Sequence, residues 1–514
     1  MRLAILIPSE AFLAAAGMRI RYGRLTGHVT RPGVEIEIRP VGEVIRSASF
    51  DCDVYIFAKI FDARAPALAH RLRAAGKCVG QDVFDDYFSQ RGDARLARFR
   101  DGMAAMAPLT DFAICSTGPM ARVLGEALPE VPVTVVGDPV ESFAPLDVAD
   151  AAETKVARAR ASRRLRLLWF GMGDNPYFPV GLADLVAFAG EIARLRRAGY
   201  EPDLTVLTNP RALTPEALAA LRTLPVPARI EEWSEMGEEA ALHDADVAFL
   251  PVNGQGFSIA KSLNRAISAL NRGCQVLTPG HPLYADLDGF VYRRAEDLTA
   301  DLDTGRCRLG RAGLAAFCAR IFALADPYAL GERFIDAAIG AAARPRPAPA
   351  GADADVAVVE GFETGAEIRR DVAALGALVV TSPFLRSRSD APVRIERQAD
   401  GSLAVLLAAA AAERLPDGLR ARAGEAGDGR LRLEAADCGL AGLFLGDDSL
   451  ATQVALYPKV MTAIAGFCRE ALGCGAVVIA ESWAGAPSLR LRGTATPGGG
   501  RGFPLAAAGA GEAA

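Results

Sequence analysis

Short apolar runs followed by amphipathic helical stretches recur along the first two-thirds of the chain. Residues 3–7 form one such run, and a loop containing Gly17, Met18, Arg19, Ile20 and Arg21 follows it. Residues 34–39 alternate apolar and polar positions, the pattern of a strand with one covered face. Residues 54–58 are apolar throughout and lead into a helical pattern over 65–75. Residues 112–115 and 131–136 complete the set, with a helix between them that begins after Ser116 and Thr117. The pattern restarts at 165–170 and continues through strand-like runs at 204–207, 228–233, 247–250 and 275–277, with helical stretches at 181–198, 238–243 and 261–271 between them. Strands alternating with helices of this length predict parallel sheets covered on both faces.

Between the two sets, residues 142–164 are rich in Ala, Asp and Arg and carry no strand signal; they are expected to be a linker with some helix. Residues 341–356 hold three closely spaced Pro and no large apolar side chain except near their end, which predicts a second linker. Beyond it, strand-like runs at 356–360, 377–380, 403–407 and 477–481 and a helical stretch at 455–472 predict a smaller α+β domain over 357–492. The Gly/Ala-rich end, 493–514, is expected to be a disordered tail.

Composition narrows the functional classes. Hydrophobic residues make up 51% and charged residues 23% of the 514, which suits a core-forming chain. Lys and Arg number 57 against 62 Asp and Glu, a net charge of −5, so bulk charge gives no reason to expect nucleic-acid binding. Only four His occur, none after His281, so chemistry built on a His cluster is disfavoured. The nine Cys are scattered and form no CxxC pair, which argues against a disulfide framework or a structural zinc site. Pro8, Ser9 and Glu10 cut the first apolar run short of a signal sequence, and no stretch is expected to reach the ~20 apolar residues of a membrane span. A cytoplasmic protein is expected, with peripheral membrane contact left open.

Ligands of open α/β sheets bind beyond the carboxyl ends of the strands, so residues that follow strands are the candidates for chemistry. Gly171, Gly173 and Asn175 follow the run 165–170; a Gly-rich turn lets backbone amides approach a phosphate, although the spacing is also that of a tight structural turn. Lys261, Ser262, Leu263, Asn264 and Arg265 open a helix that ends at Gly273. Two cations and two polar side chains there suit an anion, and would equally suit a solvated helix face. Asp82, Asp85 and Asp86 suit an acceptor-activating base or an acidic helix cap. His281 follows a strand and is placed to line a cleft. Trp483, after Glu481 and Ser482, would serve as a stacking platform or as core.

The ordered set resembles a known family. Arg-Ile-Arg after the first strand, Asp-Asp-Tyr-Phe at 85–88, Ser116-Thr117, Gly137-Asp138-Pro139-Val140-Glu141, Trp169-Phe170-Gly171, Thr208-Asn209, Glu232-Trp233 and Lys261-Ser-x-Asn-Arg265 recur in order. Together they look like glycosyltransferases of the GT-B fold, close to the large group that includes many retaining enzymes (group 1, family 4-like), over roughly residues 1–340. The resemblance implies an α/β fold with two Rossmann-like domains facing a cleft, an N-terminal acceptor domain over 1–150 and a C-terminal nucleotide-sugar domain over 160–340. It implies a nucleotide-sugar donor as co-substrate, a glycan, lipid-linked or small-molecule acceptor, and no further cofactor. Gly171, Gly173, Asn175, Thr208, Asn209, Lys261, Asn264 and Arg265 would bind the donor, with Glu232 and Trp233 near the base. Gly17, Arg19 and Arg21 would face the cleft from the other domain, and Asp85, Asp86 and Arg265 are the implied catalytic candidates. Such enzymes stabilise the leaving diphosphate with protein cations and helix dipoles, without a metal. One departure stands out: the pair of Glu that the retaining group commonly carries falls here on Ala260 and Ser268. Two alternatives follow, a catalytically degenerate GT-B module that binds a glycan or partner, and a GT-B sugar-nucleotide epimerase.

Overall fold

The computed structural model describes residues 1–344, 366–375, 378–381, 392–443 and short runs within 459–479. Most of the expected linker 341–356, the expected strand at 356–360, Glu481 to Trp483 and the expected tail 493–514 lie outside the described residues.

Six parallel strands build the first sheet: β1 (Arg2–Ile7), β2 (Glu35–Pro40), β3 (Val54–Ala58), β4 (Cys78–Val83), β5 (Phe112–Cys115) and β6 (Val133–Val135), in the order β2-β1-β3-β4-β5-β6. Six more parallel strands build the second: β7 (Arg164–Phe170), β8 (Glu201–Thr208), β9 (Ala228–Glu232), β10 (Val247–Phe249), β11 (Gln275–Leu277) and β12 (Val291–Tyr292), in the order β12-β11-β10-β7-β8-β9. Renumbered within its own domain, the second order is 6-5-4-1-2-3, that of the Rossmann dinucleotide fold, and the first is its flavodoxin-like relative. Helices cover both faces, so β1, β3 and β5 are buried almost throughout. The chain thus has the two Rossmann-like domains expected of it.

β4 lacks the unbroken apolar run of its neighbours, and the structure gives the reason. Gly80 sits under the Phe112 ring, where an added Cβ would come within 2.4 Å of a ring carbon. Asp82 is buried against Arg21. One polar residue and one glycine in the strand are therefore answered by partners distant in sequence.

Residues 142–164 have the expected helix but are more than a linker. They hold an 18-residue helix, Pro145–Ser162, whose Val148, Ala152, Val156 and Ala159 are buried in the second domain. Its charged outer face masks the apolar stripe. The last helices also depart from expectation. By length and composition Leu314–Ala342 is long and apolar enough to cross a membrane, with a mean hydropathy of 1.3. It is parted at Asp326 into Leu314–Ala325 and Pro327–Ala342. Phe317, Ile321 and Ala325 pack into the second domain, while Leu330, Phe334, Ile335 and Ala338 pack beside Leu3 and Ile5 of the first. The chain therefore returns to its starting domain.

The third sheet is mixed: β13 (Leu378–Thr381), β14 (Val393–Arg397), β15 (Leu403–Leu407), β16 (Gly424–Glu425), β17 (Leu431–Glu434) and β18 (Val477–Ile479), in the order β16-β17-β15-β14-β13-β18. The helix Ala366–Ala374 that precedes it docks on the first domain. Val372 and Leu375 join Val44, Ile45, Leu68 and Leu72 in one core, and Asp371 faces Arg64 at 3.5 Å and Arg46 at 3.7 Å.

Candidate functional site

Each Rossmann-like sheet has one place where its strand order reverses, and ligands of such sheets bind in the crevice there. In the first domain it lies between β1 and β3, in the second between β7 and β10. Contacts between the domains gather at these carboxyl edges. Thr117 Oγ1, after β5, donates to Ala260 O at 2.9 Å. The Arg19 guanidinium lies 4.9 Å from the centre of the Trp233 ring and 3.4 Å from Glu235. Arg95 donates to Tyr177 O at 2.9 Å and Arg98 to the Tyr177 hydroxyl at 2.5 Å.

In the second domain the turn after β7 is built around glycine. Gly171 has φ +140°, and a Cβ there would come within 3.1 Å of Arg265 Nη1. Glycine lets that guanidinium lie against the turn, where Nη1 donates to Phe170 O at 3.1 Å. Thr208 Oγ1 donates to Gly171 O at 3.0 Å, and Asn209 Oδ1 accepts from Gly173 N at 2.9 Å. Asn209 Nδ2 reaches Asp174, which also pairs with Arg211 at 2.8 Å. Thr208 and Asn209 therefore hold the turn. Asn175 Oδ1 accepts from Tyr177 N at 2.9 Å and shapes its exit.

The helix Asn264–Asn271 begins at Asn264 rather than Lys261, and no side chain caps it. Its first N–H groups and its positive dipole end keep Arg265 company. Asp184 ties the loops after β7 and β10 together, accepting from Gly181 N at 3.0 Å and from Asn253 Nδ2 at 2.7 Å. Burial pushes its carboxyl above the ordinary range, against those hydrogen bonds and the charge of Arg265. Glu232 is exposed, and Trp233 Nε1 donates to Glu238 at 2.5 Å.

The first domain contributes a cation that the motifs did not single out. Lys59 follows β3 with φ +55°, a left-handed backbone conformation that an L side chain seldom adopts and that often marks functional sites. Its Nζ lies 2.5 Å from Asp85 Oδ2 and 4.4 Å from the centre of the Phe84 ring. Lys261, from the other domain, pairs with Asp85 Oδ1. Burial alone would push the Asp85 carboxyl up; the Lys261 and Lys59 charges outweigh it and hold it well below the usual carboxylate range. Burial and the neighbouring Lys59 lower Lys261, opposed by Asp85. The sequence signal for Lys59 was present: a cation directly after a wholly apolar strand.

Around this trio lies an aromatic cluster that also escaped the sequence reading. Phe61, Tyr87 and Phe99 of the first domain meet Tyr177, Phe178 and Phe257 of the second, with Tyr87 stacked on Phe99 at 4.5 Å and Phe178 on Phe257 at 4.5 Å between ring centres. The segment after β7 thus crosses to the first domain as an apolar strap. Ser116 Oγ, at the carboxyl end of β5, is buried with no hydrogen-bond partner.

Two expected site residues are turned to other work. Arg21 is 2% exposed, so it does not face the cleft. It donates to Asp82 through Nε at 2.6 Å and Nη2 at 2.8 Å, and to Val136 O at 3.0 Å, where burial alone would lower its proton affinity and Asp82 and Asp138 raise it. Asp86 accepts from Phe88 N and Ser89 N at 2.9 Å each and from the Ser89 hydroxyl, so its carboxylate is consumed by a turn. Gly17 backs onto the Phe84 ring, where a Cβ would come within 3.0 Å. His281 donates its backbone N–H to Val252 O at 2.8 Å and is half-buried.

One group of three possible metal ligands exists among the described residues: Glu37, Asp51 and Cys52. Arg2 and Arg39 pair with its carboxylates. It lies toward the start of β1 and β3, away from the carboxyl edges.

No family model and no curated protein matches the chain. Among solved structures, it is similar to the α,α-trehalose-phosphate synthase (UDP-forming) of Burkholderia xenovorans in complex with glucose-6-phosphate, at 12% identity over 57% of this chain and 74% of that one, with a TM-score of 0.40. It is similar to the catalytic domain of starch synthase IV from Arabidopsis thaliana bound to ADP and acarbose, at 9% identity over 67% and 99%, with a TM-score of 0.46. An α-glucosyltransferase in complex with UDP-glucose and DNA containing an abasic site shares 12% identity over 65% and 98%, with a TM-score of 0.44. Strand order and register, rather than these likenesses, carry the fold described above.

Proposed function

We propose that the chain is a glycosyltransferase that moves a sugar from a nucleotide-sugar donor to a hydroxyl-bearing acceptor. The observation that supports this best is the meeting of the two switch-point edges with Lys59, Lys261 and Arg265 between them. A donor diphosphate would take Arg265, Lys261 and the uncapped start of Asn264–Asn271. Those groups would stabilise the negative charge that grows on the leaving diphosphate as the glycosidic bond breaks. Protein cations suffice for that role, so the reaction is proposed to need no metal. The acceptor, a glycan, lipid-linked or small molecule, would enter from the first domain past Arg19. Asp85 is a poor general base as found, since a carboxylate held so firmly ionised has little affinity for a proton.

A specific observation supports a second reading. Ala260 is 2% exposed and its carbonyl is engaged by Thr117, so no acid stands where the retaining group commonly has one. A degenerate module would bind a nucleotide sugar or glycan without turnover. The test is a thermal-shift screen of the full chain against UDP-, GDP-, TDP- and CMP-sugars, since a ligand of the native state raises its apparent stability. Stabilisation by one donor is expected; stabilisation by none overturns the proposal.

A further inference from the structure

We infer that the Asp85 carboxylate holds the place of a substrate phosphate between Lys59 and Lys261, so that the phosphate must displace it to bind. The inference deepens the proposed function and rests on it only for the identity of the phosphate's carrier.

The geometry has four parts. First, one carboxylate bridges two ammonium groups from different domains, with a separate oxygen for each: Oδ2 on Lys59, Oδ1 on Lys261. That is the arrangement two oxygens of a phosphoryl group would adopt. Second, the carboxylate is buried between two half-buried lysines, each set against an aromatic ring. Asp85 is 7% exposed, Lys59 lies over the Phe84 ring, and Lys261 lies 4.0 Å from the centre of the Phe257 ring. The Lys59 and Lys261 side chains keep 27% and 39% of their surface exposed, so an incoming anion can reach them, while the buried carboxylate depends on their charge. Third, two lysines against one carboxylate leave one positive charge in excess, and Arg265 adds to it from the second domain; a dianion fits this total better than a single carboxylate. Fourth, the left-handed backbone of Lys59 spends conformational energy to aim its side chain into the crevice, where a fold needing only a surface ion pair has no reason to.

The consequence concerns regulation. Lys261 reaches Asp85 across the domain boundary, so the pair links the two domains across the crevice. A phosphate that takes both lysines frees Asp85, and binding and release of the latch become one event. Lys59 then joins Lys261 on the ligand as the first domain's share of the anion site. Two sources supply the chemistry: the diphosphate of the donor, or a phosphate on the acceptor.

The experiment measures inorganic pyrophosphate binding to the full chain by calorimetry, in the wild type, Asp85→Asn and Lys59→Gln, with folding checked by circular dichroism. Removing the internal competitor should tighten pyrophosphate in Asp85→Asn by about tenfold, and Lys59→Gln should weaken it by about tenfold. Weaker or unchanged binding in Asp85→Asn overturns the inference, because Asp85 would then support the site or stand apart from it. Should Asp85→Asn fail to fold, Asp85→Glu replaces it. The longer side chain still reaches both lysines, so pyrophosphate binding should remain within a few-fold of wild type, and loss of binding overturns the inference. Repeating the titration with a nucleoside diphosphate and with a hexose phosphate separates the two sources. Turnover of nucleotide sugars alongside unaltered pyrophosphate affinity in both variants would sink this inference and leave the proposed function standing. The altered affinities with no turnover of any donor would do the reverse.

Discussion

Arg21 and Asp82 form a two-pronged ion pair inside the first domain, with Arg21 Nε 2.6 Å from Oδ2 and Nη2 2.8 Å from Oδ1, while the Tyr22 hydroxyl donates to Oδ2 at 2.5 Å. The pair joins the segment after β1 to β4, and Arg21 Nη1 carries it on to Val136 O and Asp138. Arg21→Met should destabilise the chain by about 3–5 kcal/mol, because Asp82 is left buried and uncompensated. Chemical denaturation measures the loss. A cost near that of a surface substitution would refute the structural role.

Arg265 lies on the Gly171 turn at the uncapped start of a helix. Arg265→Ala should lower transfer by about 10²–10³-fold in kcat, the usual cost of removing one preorganised charge partner of the transition state. Steady-state kinetics with the preferred donor reads it, and unchanged folding by circular dichroism keeps it interpretable.

The aromatic strap makes a stability prediction. Phe178 is 4% exposed and stacks on Phe257. Phe178→Ala should cost about 3–5 kcal/mol and loosen the domains from each other. Denaturation gives the first effect; faster proteolysis within 171–181 gives the second.

The docking of Val372 and Leu375 predicts that this segment, apart from the third unit's own core, is part of the first domain's core. Leu375→Ala should destabilise the first domain by about 2–5 kcal/mol, although it lies far along the chain from it. Hydrogen exchange at Val44 and Ile45 should quicken in the variant. Unchanged exchange there would mean that the docking is incidental.

The Asp85 latch has a pH dependence with a defined sign. Its folded carboxyl is held below the unfolded value, so the pair's stabilisation is fully present above the ordinary carboxylate range. It is lost as pH falls through the lowered folded value. Lys261 is shifted below its usual 10.5, so pyrophosphate affinity should decline on the alkaline side before an ordinary lysine titrates. Titrations across pH in wild type and Asp85→Asn check both limbs.

The two parallel sheets were legible because their strands are buried on both faces and read as apolar runs; β3, β5 and β11 match to the residue. β4 was obscured because Gly80 and Asp82 are accounted for only by Phe112 and Arg21, which are remote in sequence. The helix over 142–164 was expected, but its charged face hid the apolar stripe that packs it into the second domain. At the site, position after a strand singled out Gly171 and Arg265, which the structure brings together, and Lys261, which it pairs with Asp85. It was not enough to tell Arg19, which meets Trp233, from Arg21, which turns inward two residues later. Lys59 and the Tyr177–Phe178 strap depend on contacts between domains, and no local pattern announces those.

The central claim, transfer from a nucleotide sugar, is tested most directly by nucleoside diphosphate release from UDP-, GDP-, TDP- and CMP-sugars, or of CMP in the last case, with and without simple sugar acceptors. Release from one donor class, reduced about 10²-fold or more by Arg265→Ala, is the predicted result. No release from any donor, together with no thermal stabilisation by any of them, would contradict it.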